Sequence, residues 1–223
     1  MIMLSKKLNL GGIHMSYSSL WLIDKDFKGE EDIEFMNSWL FTPIAHDILF
    51  KKYLSSRATS PYDNKDLPFL SAVMLDNTVI RDLNNLINYC EVQEDRVVWE
   101  LTNQQMFRTK DKDFISDCII KFMDINKELM IKYDERIFSR FKEVAREIRN
   151  IDENNYSYFI FKNTSCDDGV EYWFIKYDEE EKDYKDASLL ELDTNVCELV
   201  LIDNNKISDF IINTKLKDYI NCY

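Results

Sequence analysis

Two aspartates placed two residues apart, Asp24 and Asp26, follow the apolar run Leu20, Trp21, Leu22 and Ile23. A buried strand that delivers one carboxylate at its end and another at i+2 is how several Mg²⁺-dependent phosphotransferases place a nucleophile beside a metal ligand. Such sites need small and hydroxyl residues after the second aspartate, and here Phe27, Lys28 and Gly29 stand there. Asp24 and Asp26 therefore read first as turn residues and only second as the start of a metal site, with Asp167 and Asp168 as the acids that would complete it. His46-Asp47 is a dipeptide that metal phosphohydrolases use, but their sites need further histidines, and this chain has only His14 and His46. A partly buried structural role suits His46 better. Cys90, Cys118, Cys166, Cys197 and Cys222 lie too far apart for any CxxC or short metal spacing, so they read as reduced thiols in a cytoplasmic protein. No metal and no cofactor is expected.

The stronger chemical signal is charge. The chain carries 41 acidic against 28 basic residues, a net of −13, which disfavours direct binding to the phosphate backbone of a nucleic acid. Residues 152 to 203 hold fifteen acids and four lysines, and within them Asp178 to Asp186 packs six acids and two lysines into nine positions. A dense anionic surface raises association rates toward cationic sites and can occupy a groove meant for nucleic acid. The expected recognition residues are accordingly Asp178, Glu179, Glu180, Glu181, Asp183 and Asp186. On this reading the protein is a non-enzymatic binding or inhibitor protein with a basic protein partner, for which a nucleic-acid-binding protein is the first candidate. Small acidic inhibitors carried by mobile genetic elements against host defence proteins share this composition. Two alternatives use other residues: an oligomeric scaffold with Phe35, Trp39, Phe41 and Phe50 as its interface, and a divergent metal-dependent phosphohydrolase built on Asp24 and Asp26. The oligomeric state stays open.

The element that must organise the rest is the run from 113 to 150, which contains no Gly or Pro. Ile115, Cys118, Ile119, Phe122 and Met123, then Met130, Tyr133, Ile137, Phe141, Val144 and Ile148, recur at steps of three and four, the spacing of one helical face. The pattern predicts a long amphipathic helix, with Asp124 to Asn126 as the place where it would kink or divide. Its outer face carries the ladders Lys132, Arg136, Arg140 and Lys142, Arg146, Arg149. A solvated face with Arg140–Glu143 and Glu143–Arg146 pairs explains them better than a phosphate-binding stripe does.

Around this element the sequence predicts an α+β protein, with a mainly helical portion over 15–150 packed against an acidic, β-rich portion over 151–223 as one unit. Residues 1–14 read as a leader that is disordered or extraneous. Leu20 to Ile23 form a buried strand that joins the C-terminal sheet. Glu30, Glu31, Asp32 and Glu34 crowd together like the first turn of a helix, where they would complement its positive end. Thr42-Pro43 starts the next helix, Ser55 to Pro68 is a loop, and another helical region follows with Asn84 and Asn85 facing out. Residues 91–107 fit helix and strand equally. Two antiparallel hairpins are expected, Tyr156–Lys162 with Val170–Tyr177, and Val196–Ile202 with Ile207–Ile212 across Asp203, Asn204 and Asn205. No apolar stretch is long enough to span a membrane.

Overall fold

The computed structural model describes residues 17–54, 77–132, 134–163 and 169–221. The leader at 1–14 with His14, the loop from Ser55 and the start of the helical region after Pro68, Tyr133, Cys166, Asp167, Asp168 and Cys222 lie outside them.

The fold is α+β. In chain order the strands are β1 (Tyr17–Ile23), β2 (Gly29–Met36), β3 (Met106–Arg108), β4 (Tyr158–Lys162), β5 (Ile175–Asp178), β6 (Asp183–Asp186), β7 (Glu198–Asp203) and β8 (Lys206–Ile212). Among the described residues the helices are α1 (Thr42–Leu54), α2 (Asn77–Asn88), α3 (Gln93–Thr102), α4 (Lys112–Ile125), α5 (Lys127–Met130), α6 (Arg136–Asn150) and α7 (Leu216–Asn221). Six strands form one sheet in the order β2-β1-β4-β3-β7-β8, and β5 with β6 forms a separate two-stranded ribbon. The sheet is not the purely antiparallel C-terminal unit that the sequence suggests. Three of its strands precede residue 150, and β3 pairs with β7 in parallel.

The alternation of side chains along the strands explains why both faces of this sheet are covered. Leu20, Leu22, Phe107, Phe159, Phe161 and Val200 point into the core shared with the helices. Trp21, Ile23, Met106, Ile160 and Leu199 point the other way, where Phe27, Val170, Phe174, Leu189 and Leu216 close over them. Strand β3 is only three residues long, yet it holds the centre of the sheet because two glutamines extend its pairing. Gln104 Oε1 accepts the Asn163 N–H (3.0 Å) at the end of β4, and Gln105 Oε1 accepts the Glu198 N–H (2.5 Å) at the start of β7.

The long run at 113–150 divides where Asp124 to Asn126 mark it. Asn126 folds back on Phe122, donating to its carbonyl from both the main-chain N–H (3.1 Å) and Nδ2 (2.8 Å), and the chain reverses through α5. Ile115, Cys118, Ile119, Phe122 and Met123 therefore sit on α4 and Ile137, Phe141, Val144 and Ile148 on α6, with Met130 on α5 between them, and α4 and α6 meet face to face. Phe122 stacks on Phe141 with ring centroids 6.1 Å apart, and Ser116 Oγ donates to the Ala145 carbonyl (2.9 Å).

Three local expectations need correction. Residues 29–36 form strand β2, not a helix, because a tight turn at Asp24–Lys28 sends the chain back along β1. Only Ile33 and Phe35 of the strand reach the helix-side core, which is the two-residue alternation of an edge strand. The pairing of 156–162 with 170–177 does not form. Strand β4 lies between β1 and β3, Val170–Trp173 is a 3-10 turn, and β5 pairs with β6. Asn84 does not simply face solvent, since its Oδ1 accepts the Trp99 indole N–H at 2.8 Å. The second hairpin forms as expected between β7 and β8, with Asn204 (φ 50°) and Asn205 (φ 58°) both left-handed, as a two-residue type I′ turn requires. Residues 91–107 resolve into α3 followed by β3.

Candidate functional site: an acidic ribbon and the cavity at its base

The ribbon β5–β6 carries the segment singled out by charge. Its turn is built by Asp178, whose Oδ1 accepts the N–H groups of Glu180 (2.9 Å) and Glu181 (3.1 Å). Lys182 takes the left-handed conformation there, at φ 53°. Lys185 Nζ bridges Asp178 Oδ2 (2.7 Å) and Glu181 Oε1 (2.8 Å). Asp178 is held below the ordinary aspartate range first by the Lys185 ammonium and then by these N–H donors, while the Lys185 pKa is raised in return. The six expected recognition residues are thus not equivalent. Asp178 and Glu181 are engaged in shaping the turn, whereas Glu179, Glu180, Asp183 and Asp186 form no ion pair among the described residues.

Register then sorts the ribbon into two faces. Lys176 lies opposite Lys185 and Asp178 opposite Asp183, so one face is mixed charge. Tyr177 lies opposite Tyr184 and Ile175 opposite Asp186, so the other joins two aromatic rings to a carboxylate. The tyrosine rings meet edge to face with centroids 5.3 Å apart, yet they remain 49% and 59% exposed.

The base of the ribbon is clamped to the β1–β2 turn. Ala187 N–H donates to the Phe174 carbonyl (2.8 Å), Ser188 Oγ to the Asp26 carbonyl (2.8 Å) and Leu189 N–H to the Phe27 carbonyl (2.9 Å). Phe174 stacks on Trp21 at 5.4 Å and presses so closely on Gly29 that a Cβ there would lie 2.6 Å from its ring. Where these elements meet, a cavity of about 360 Å³ is lined by Asp24, Lys28, Glu30, Tyr156, Phe174 and Asp186. The Tyr156 hydroxyl donates to Glu30 Oε1 in a short hydrogen bond. That bond, then burial and the charges of Glu30, Asp32 and Asp152, pushes the Tyr156 phenol up to about 12. Asp32 is itself raised by burial and by the neighbouring Glu30 and Glu147 carboxylates. The structure thus gathers acids from β2, α6 and the ribbon that lie far apart in the sequence.

The other candidate residues find structural roles. Asp24 Oδ1 accepts the Asp26 N–H (2.8 Å) and the Lys28 N–H (2.9 Å), which makes it the former of the β1–β2 turn. His46 and Asp47 turn to different partners. Thr102 Oγ1 donates to the Trp99 carbonyl (2.8 Å), so it accepts from His46 Nε2 (3.0 Å), and Asp47 pairs with Lys51 at 2.7 Å. Burial against Trp99 pushes His46 down to about 4. Cys118 and Cys197 are buried free thiols pushed up to about 12 by desolvation.

The four arginines of the basic ladders are paired. Arg136 pairs with Asp134 (2.6 Å) and Arg149 with Asp113 and Asp117 (3.3 and 2.5 Å). Arg146 pairs with Glu147 (2.5 Å) and not with Glu143 as the spacing suggests. Arg140 is buried, bound to Glu143 (2.9 Å) and to the Met36 carbonyl (2.5 Å). The aromatic set proposed as an interface is also occupied. Phe35, Phe41 and Phe50 belong to the core, and Trp39 packs beside them under Arg136.

One feature escapes any motif. Glu100 on α3 is 3% exposed, and its Oε1 has no hydrogen-bond partner. Desolvation, then the charge of Glu198, pushes its carboxyl up to about 8 against the partial relief of Arg96. Glu198 is also raised by burial. The only sequence signal is a glutamate on the apolar side of a helix between Trp99 and Leu101.

No protein-family model, curated protein or solved structure matches this chain.

Proposed function

We propose that the protein is a non-enzymatic binding protein that engages a basic partner through the β5–β6 ribbon and the acidic surface around its base. The observation that carries this reading is the separation of the ribbon from the six-stranded sheet. All four residues of β6 are exposed and β5 contributes no fully buried side chain, so the densest charge in the chain stands on an element the core does not need. Acidic density on such an element acts on association, by steering, more than on folding. A surface of this sign suits a groove that otherwise takes a phosphate backbone, so a nucleic-acid-binding protein is the partner class to seek first. Inhibition of a host defence protein by a mobile-element product is one biological form of that chemistry.

The test replaces Glu179, Glu180, Glu181 and Asp183 with Gln or Asn in the full chain. Stability should change by no more than about half a kcal/mol, because these side chains are exposed. Association with a partner captured from cell extract should slow, and its salt dependence should flatten, since steering is screened beyond about 8 Å in physiological salt. Unchanged binding at both low and high salt would show the ribbon to be mere solvated surface.

A further inference from the structure

Resting on that reading, we infer that the tyrosine face of the ribbon and the cavity at its base form one seat for an arginine-bearing extended segment of the partner. Three observations lead there. The Tyr177–Tyr184 pair lies on the same ribbon face as Asp186, with both rings about half open to solvent. Large aromatic side chains left exposed on a two-stranded ribbon are what protein interfaces use as anchors. Asp186 in turn lines the cavity with Asp24 and Glu30, which sets three carboxylates against the single ammonium of Lys28.

Each of these carboxylates also has capacity to spare among the described residues. Asp24 uses Oδ1 for its turn, Glu30 uses Oε1 for Tyr156, and Asp186 makes no hydrogen bond or ion pair. A planar guanidinium fits this sequence of surfaces better than an ammonium. It stacks on an aromatic face, sheds water more readily and binds carboxylates in a two-pronged geometry. One arginine would lie over the tyrosine pair while a neighbouring arginine reaches Asp186, Asp24 and Glu30. The turn acids Glu179 and Glu180 then serve long-range attraction, and the tyrosine face and cavity supply the choice of arginine over lysine.

The experiment uses the full chain with fluorescent octa-arginine and octa-lysine peptides, read by anisotropy at low and physiological salt. Octa-arginine should bind more tightly than octa-lysine. Replacing both tyrosines (Tyr177→Ser with Tyr184→Ser) should weaken octa-arginine by roughly tenfold and leave octa-lysine nearly unchanged. The Phe double variant should keep the preference, which separates loss of the rings from a folding defect read by circular dichroism. Asp186→Asn should weaken octa-arginine severalfold, whereas Glu179→Gln with Glu180→Gln should weaken both peptides alike at low salt and flatten their salt dependence, leaving the preference for arginine. Equal affinity for the two peptides, or octa-arginine binding indifferent to both the tyrosine and the Asp186 changes, overturns the seat while leaving a basic partner in place. Failure of both peptides to bind at low salt overturns the seat and the proposed function together.

Discussion

A single carboxyl, Glu100, should set much of the pH dependence of this protein's stability toward neutral pH. Its folded pKa of about 8 lies above the ordinary 4.5, so the folded state keeps a proton that the unfolded chain has released. Stability from this group is complete below about 4.5 and is lost as pH rises through about 8. His46 acts in the opposite sense, because its folded pKa of about 4 lies below 6.5 and stability falls as pH drops through that interval. The two slopes oppose one another between about pH 4.5 and 6.5, and Glu100 alone acts from there to about pH 8. Glu100→Gln keeps the shape and removes the ionisation. Denaturant unfolding should show the variant gaining stability up to about pH 6.5, from His46, and level above it, whereas the parent, in which the two slopes cancel below about 6.5, loses on the order of a kcal/mol or two from there to about pH 8. Equal slopes in the two proteins would assign the loss to other groups. None of this was legible in the sequence, where Glu100 looks like any helical glutamate. Its neighbour Glu198 opens strand β7, and only the packing of α3 beside the sheet brings the two charges within reach.

At the scale of elements, the joint between the ribbon and the β1–β2 turn depends on Gly29. A methyl group there meets the Phe174 ring, which is held by its stack on Trp21 and cannot swing aside freely. Gly29→Ala should therefore cost about 1–3 kcal/mol in unfolding free energy. It should also loosen the ribbon base, seen as faster amide exchange at Ala187 and Leu189 than in the parent. Wild-type exchange at those two sites in a destabilised variant would place the damage elsewhere. Elements defined by local periodicity were readable: α4 and α6 from steps of three and four, β7–β8 from its asparagine turn. Strand β2 was misread because four acids in five residues imitate a helix start, while the opposing signal was two residues, Ile33 and Phe35. The ribbon acids were visible as composition. That Tyr177 faces Tyr184, and that Asp186 shares a cavity with Asp24, depends on strand register and on a contact between residues 162 positions apart in the same neighbourhood as the Ser188–Asp26 hydrogen bond.

For the whole molecule, a net charge of −13 means that folding gathers like charges, most densely around β2 and the ribbon. The folded state should accordingly gain from screening. The melting temperature should rise by several degrees from low to physiological ionic strength, and more steeply than in the ribbon variant with four charges removed. A fall on adding salt would mean that attractive pairs such as Arg149–Asp117 dominate. The strand order β2-β1-β4-β3-β7-β8 carries a separate consequence for how the chain is made. The β1–β2 hairpin is made before its sheet neighbours, so the other edge of β1 has no partner until residues 158–162 follow, and β3 in turn waits for β7. Until residues 158–162 are made the nascent chain therefore presents an open strand edge with Leu20 and Trp21 uncovered, so its vulnerable period is translation itself, and slow elongation or a missing chaperone would reduce yield without altering the stability of the finished protein.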